Sequence, residues 1–329
     1  GIEMKFFIFF FIFFISFNIN SKSNDSPDLN FKSEKKVLWS EWISQIKEEL
    51  KKEGFKMSTL KNLDNLKFNK RVIELDRKQP EFKLNFNQYL KKNFSEMKKK
   101  NLVKHFSENQ ILLDKIYSHY NVDPKILASL WGIETSYGSY LGKFDILSSL
   151  ASLAYDGRRK NFFLKQLRYA LKILEDGHIS KSQFKGSWAG AFGQTQFMPS
   201  TFNKYAIDFD GNKKINLFKK EDALASGANY LKKAGWNNKI VWGEKVDIPI
   251  TKELRKLSDS KVFKKIKSWE KYGIIFKNKY NKNQLMRLVI PDSEDNQIFL
   301  VSKNFDVILD WNRSNYFALT VFLLSDEIK

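Results

Sequence analysis

The chain has 329 residues, 42% hydrophobic and 15% aromatic, enough for two domains or one large elaborated one with a real core. It has no cysteine, which excludes disulfides, thiolate zinc sites, a cysteine nucleophile and a lipid-modified cysteine anchor. Lys and Arg total 57 against 37 Asp and Glu, a net +20 that steers toward anionic partners, but the lysines are scattered and no nucleic-acid recognition motif accompanies them.

In chain order, Met4-Lys5 and the apolar run Phe6 to Phe17 have the anatomy of a secretory signal over residues 1–20. The run is too short for a hydrocarbon layer of about 30 Å, which needs roughly 20 residues. Residues 21–36 are polar and read as a linker. Leu38 to Leu50 is an amphipathic helix with Trp39, Trp42, Ile43 and Ile46 on one face. Val72 to Asp76 reads as a short strand entering a bend at Gln79-Pro80. One helical stretch is predicted over 85–104, and further helices over 108–120, 124–135, 146–155, 159–175, 199–205 and 221–234. Past Trp242 the pattern changes to short strands at 246–250, 298–301 and 306–309, closed by an apolar helix over 314–324. The expected division is 1–20 signal, 21–36 linker, 37–110 N-terminal helical domain, 111–245 catalytic core and 246–329 mixed C-terminal segment. The fold class is mainly α (α+β), with a few short strands.

Trp131-Gly132-Ile133-Glu134-Thr135-Ser136-Tyr137-Gly138 carries the sharpest chemical signal. Asp123-Pro124 starts a helix as cap and first residue. Ile126, Leu127, Leu130, Trp131 and Ile133 make that helix too apolar for a surface position. Glu134, near its C-terminal end, is therefore placed where desolvation and the helix dipole both favour the neutral acid, as a general acid requires. A helix-end Glu bonded to solvent or loop backbone is the plain structural alternative.

The Gly- and Ala-rich stretch from Gly186 to Ser200 lets backbone approach a ligand closely. Within it Ser187, Gln194 and Gln196 offer neutral hydrogen bonding beside Trp188 and Phe197, a combination suited to sugar rings. A turn packing two helices would have the same composition. Asp208-Phe209-Asp210-Gly211-Asn212-Lys213-Lys214 spaces oxygen donors by two, as in the first half of an EF-hand loop, with Asp222 able to close it. Lys213 stands where that loop has glycine, and Lys213-Lys214 would oppose a cation unless both point outward. Asp310-Trp311-Asn312-Arg313-Ser314 is a polar turn with Asn312 or Ser314 as helix cap. Tyr155-Asp156-Gly157-Arg158-Arg159 reads, by itself, as a loop before an amphipathic helix. His105, His119 and His178 lack metal-ligand spacing, and no Walker loop or nucleophile elbow is found.

Together these motifs resemble the lytic murein transglycosylase B family, cell-wall enzymes with a lysozyme-like core. The likeness runs from about Trp39 to the C-terminus. It rests on Glu74-Leu75-Asp76-Arg77-Lys78-Gln79-Pro80-Glu81-Phe82, the Gly132 to Gly138 motif, Ser187 to Ser200, and Trp311-Asn312-Arg313-Ser314-Asn315-Tyr316. The resemblance implies that Glu134 is the sole catalytic acid/base. It implies that Ser187, Gln194, Gln196, Asn312 and Tyr137 bind substrate. It also implies that Asp208, Asp210, Asn212, Asp222 and the Lys214 carbonyl hold a structural calcium ion, with no cofactor required for the chemistry. The chain departs from some members in having Trp311 where they have Tyr, and from the anchored members in lacking a cysteine.

The implied reaction is non-hydrolytic cleavage of the β-1,4 bond between N-acetylmuramic acid and N-acetylglucosamine, leaving a 1,6-anhydro ring. The implied setting is the periplasm, with peptidoglycan glycan strands as partner, a monomeric enzyme, cell-wall synthesis complexes as candidate assemblies and no nucleic acid. Two rivals stay open. A hydrolytic muramidase of lysozyme type would want a second carboxylate, with Asp145 and Asp156 the nearby ones in sequence. A non-catalytic peptidoglycan-binding protein would keep the cleft alone.

Overall fold

The computed structural model describes residues 37–78, 84–293 and 296–329. The signal, the linker and the bend at 79–82 lie outside them. Helix α1 (Trp39–Lys52) buries Trp42, Ile43, Ile46 and Leu50, as its periodicity predicts. The short α2 (Met57–Leu60) leads to α3 (Lys70–Lys78), which occupies the segment expected as strand. Val72, Ile73, Leu75 and Asp76 are buried together, and that i, i+1, i+3, i+4 spacing is one face of a helix.

The single stretch expected over 85–104 is two helices, α4 (Phe86–Asn93) and α5 (Glu96–Glu108). A capping box between Asn85 and Gln88 opens the first, and Ser95 caps the second by accepting the Lys98 N–H at 3.3 Å. After α6 (Gln110–Tyr120) comes α7 (Pro124–Thr135), where Asp123 accepts the Lys125 N–H at 2.8 Å. Strand β1 (Phe144–Asp145) precedes α8 (Ile146–Asp156) and α9 (Lys160–Glu175), and pairs antiparallel with β2 (Lys185–Gly186). Helices α10 (Pro199–Tyr205) and α11 (Lys220–Lys233) follow.

The C-terminal part begins with β3 (Gly243–Val246), so only Val246 of the strand expected over 246–250 is in a sheet. Then come α12 (Lys252–Asp259), β4 (Lys264–Lys265), α13 (Ile266–Glu270), β5 (Leu285–Val289) and β6 (Ile298–Ser302). The four strands form an antiparallel sheet in the order β3-β6-β5-β4. Residues 306–309, expected as strand, lie inside α14 (Lys303–Trp311), whose buried Asn304, Phe305, Val307 and Ile308 again have helical spacing. Helix α15 (Asn315–Ser325) closes the chain.

Three apolar clusters hold these elements. One joins α1–α3 to α8–α10 and the Gly-rich loop. A second joins α4–α7 to α11, α14 and α15. The sheet divides its side chains by strand alternation: Phe299 and Val301 enter the second cluster, while Ile298 and Leu300 meet α12 and α13 in the third. The site sits where the first two clusters meet, with Trp311 packed against both. Among the described residues, no helix is long and apolar enough to cross a membrane.

Candidate active site

Helix α7 delivers Glu134 at its last turn. Ser136, Tyr137 and Gly138 then take φ of 48°, 61° and 82°, three successive left-handed residues that fold the chain back along the helix. The return lays Tyr137 over Gly132 so closely that a Cβ there would stand 2.5 Å from the Tyr137 hydroxyl oxygen. The Tyr137 ring is stacked on His105 at 4.0 Å and meets Trp131 edge-on at 5.3 Å. Gly132 and Tyr137 of the sequence motif thus fit one another.

Glu134 is half-buried, with protein packed around it on most sides. Burial pushes its pKa from 4.5 up to about 8, opposed by a hydrogen bond in which the Trp311 indole N–H donates to Oε1 at 2.8 Å. Tyr89 on α4 lies near enough that the Glu134 charge adds to burial in raising its phenol. Its ring packs on Tyr316 at 5.7 Å. Sequence reasoning missed Tyr89, which belongs to no motif, and placed Trp311 in a motif, as a departure from Tyr, without giving it a contact to Glu134.

The loop after β2 closes on itself. Phe192 and Phe197 exchange backbone hydrogen bonds of 3.0 Å, and Ser187 Oγ accepts the Ala191 N–H at 3.0 Å, a bond that leaves its own O–H as a donor. Gln196 sits at φ 52° and donates its side-chain amide to the Gly193 carbonyl at 2.9 Å. Gln194 is engaged at both ends. Its Oε1 accepts from Trp131 Nε1 and its Nε2 donates to the Phe218 carbonyl, both at 2.8 Å. Its backbone carbonyl also accepts from the Thr135 hydroxyl at 2.8 Å. Gln194 therefore ties the loop to α7.

The third wall comes from the α14–α15 junction. Asn312 is buried, leaves helical conformation and accepts the Ser314 N–H at 3.1 Å, while Ser314 caps α15 by accepting the Phe317 N–H at 3.2 Å. Trp311 joins this wall to the loop through Phe197, 5.7 Å between ring centroids. Glu134 and Tyr137 on α7 and its turn, the 187–196 loop and the 311–316 turn are thus brought together. Asp145 and Asp156 serve elsewhere: Asp145 caps α8 through the Ser148 N–H at 2.8 Å, and Asp156 pairs with Arg77 at 2.7 Å.

The acidic loop lies apart, between α10 and α11. Asp208, Asp210 and Asp222 place carboxylate oxygens within 4.8 Å of one another, and among the described residues none of the three forms a salt bridge. Asp222 is fully buried, and burial, aided by the Asp210 charge, raises its pKa against three backbone N–H donors. Lys213 and Lys214 are both exposed, and Lys213 takes φ 69°, the left-handed conformation usually given to glycine there. Clustered hard oxygens with no paired base fit a calcium ion.

The transglycosylase SLT domain family matches residues 39–326. Membrane-bound lytic murein transglycosylase B of Escherichia coli (strain K12) is 31% identical over 243 residues, 73% of this chain; the match spans 66% of that relative's length. SltB3 from Pseudomonas aeruginosa in complex with NAG-NAM-pentapeptide is 34% identical with a TM-score of 0.83, covering 88% of this chain and 79% of that one. The Escherichia coli lytic transglycosylase Slt35 in complex with calcium is 27% identical with a TM-score of 0.74, covering 87% and 91%. The fold is the lysozyme-like, mainly helical one of these enzymes. The chain belongs to the transglycosylase SLT domain family.

Proposed function

We propose that this chain is a lytic murein transglycosylase that cleaves the β-1,4 bond between N-acetylmuramic acid and N-acetylglucosamine and leaves a 1,6-anhydro ring. The observation that carries the reading is Glu134, a half-buried carboxyl bonded by Trp311 where α7, the 187–196 loop and the 311–316 turn meet, its pKa raised to about 8. Glu134 protonates the departing glycosidic oxygen, and the C1–O bond breaks. The developing positive charge is met by the substrate's acetamido group, with Ser187 donating a hydrogen bond to the bound sugar. Glu134, now a carboxylate, removes the proton from the muramic acid 6-hydroxyl as that oxygen bonds to C1. The acid is restored and no water is consumed. Holding the 6-hydroxyl against C1 makes ring closure intramolecular, where effective molarities reach about 10⁵–10⁸ M.

Support for this outcome over hydrolysis comes from the occupations of Asp145 and Asp156, which leave neither poised as a second carboxylate. It also comes from a structure of the similar SltB3 in complex with NAG-anhNAM-pentapeptide. Gln196, Asn312 and Tyr137 line the saccharide cleft in this reading, and Gln194 serves it by holding the loop to α7. Asp208, Asp210, Asn212, Asp222 and the Lys214 carbonyl would hold calcium, whose contribution is to neutralise and order the loop. The reading carries with it export through the Met4 to Phe17 leader, a periplasmic location and action as a monomer on glycan strands. Mass spectrometry of digested peptidoglycan tests it: anhydro-muropeptides are expected from the parent and none from Glu134→Gln. Reducing ends in their place would make the enzyme a muramidase.

A further inference from the structure

We infer that Trp311 is a positioning residue that confines the exchangeable proton of Glu134 to Oε2, so that one oxygen both delivers the proton to the leaving group and takes it back from the 6-hydroxyl. The inference rests on the proposed function and specifies how its acid is set. An indole N–H is a donor with no acceptor capacity. It points at Oε1 from 2.8 Å. The carbonyl oxygen of a neutral carboxyl is a better acceptor than its hydroxyl oxygen, so with the N–H on Oε1 the neutral acid carries its proton on Oε2.

The direction of the N–H is fixed by packing from separate elements. The Trp311 ring meets Phe197 of the loop at 5.7 Å and Tyr230 of α11 at 5.1 Å, both edge-on. Its far edge lies over Gly227, where an added Cβ would stand 3.4 Å from the ring. These contacts restrain the ring from three sides, so the donor is preorganised. The same bond favours the carboxylate and opposes the effect of burial, which keeps the acid able to ionise within the cycle. Tyr89, on α4, is the titratable neighbour that feels the Glu134 charge, and it stays neutral through this range because burial raises its phenol. A tyrosine at position 311 would both donate and accept, and would leave the choice of oxygen open.

The test replaces Trp311 in the full chain by β-(3-benzothienyl)alanine, which keeps the ring and substitutes sulfur for N–H, with Trp311→Phe and Trp311→Tyr beside it. The Glu134 carboxyl is titrated by ¹³C NMR, its signal assigned by its loss in Glu134→Gln, and anhydro-muropeptide release is measured against pH. In the benzothienyl protein the pKa is expected to rise by roughly one to two pH units, the alkaline limb of the rate profile moving with it. The plateau rate is expected to fall about tenfold, with partial recovery in Trp311→Tyr. An unchanged or lowered pKa in the folded benzothienyl protein overturns the inference. The NMR titration decides between these outcomes even if no anhydro product is found, a result that would count against the proposed function instead.

Discussion

In the proposed reaction Glu134 must donate first, and the burial that raises its pKa to about 8 favours the protonated form at neutral pH. Activity is therefore expected to hold below pH 8 and to fall about tenfold per unit above it, measured as anhydro product released across pH 5–10. A rate still level at pH 10 would show that another group supplies the proton. The same burial affects stability. Unfolded Glu134 ionises near 4.5 and the folded residue near 8. The stabilising contribution is thus complete below about 4.5 and is lost as pH rises through about 8, at up to ~1.4 kcal/mol per unit. Glu134→Gln is neutral throughout, so its gain in melting temperature over the parent should be small at pH 4.5 and largest above pH 8. Gly132 is the other sensitive point of the helix. Gly132→Ala sets a methyl group against the Tyr137 hydroxyl, and a loss of at least tenfold in kcat/KM at little cost in helix content is expected. Full activity in that variant would release Tyr137 from its assigned place in the cleft.

Helix α3 shows how one element is held from a distance. Buried Asp76 accepts from Arg158 and, at 2.6 Å, from Arg159, while Arg77 answers Asp156, so α3 and the α8–α9 corner are joined by crossed pairs. Asp76→Asn removes the charge that two partly exposed guanidinium groups answer and should cost about 1–2 kcal/mol, read from the urea midpoint. An unchanged midpoint would mean that solvent reaches the arginines well enough to replace the pair. These contacts also explain what the sequence concealed. Val72-Ile73 has β-branched residues suited to a strand, and the helical spacing is recognised only once buried Asp76 is counted with the apolar side chains. Strand β5 escaped notice because Arg287, itself buried, interrupts its apolar run, whereas β6 is unbroken over Ile298 to Val301. Helix α7, by contrast, announced both ends: Asp123-Pro124 at the start, and Ser136 to Gly138 where the chain reverses. Of the site, Glu134 and the two turns were legible as local motifs. Tyr89 was not, since its place beside Glu134 depends on how α4 packs.

Across the whole molecule, the acidic loop ties chain segments together through charges that repel one another. Calcium at a hundred times its Kd should stabilise the fold by about 2.7 kcal/mol, seen as a rise in melting temperature that EDTA reverses and Asp208→Asn abolishes. A melting temperature indifferent to calcium would mean that hydrogen bonds within the loop suffice. The loop is followed by Leu217 and Phe218, whose carbonyls receive the backbone and side-chain N–H groups of Gln194. The same residue holds Trp131, three positions before Glu134. Substitutions on its two sides should therefore not be additive. In a double-mutant cycle, Trp131→Phe and Gln194→Ala together should cost less than the sum of the two alone, by about 0.5–3 kcal/mol. For anyone redesigning this protein, Gln194 sets the unit of change: helix and loop are best exchanged as a matched pair, because one side-chain amide bonds to both.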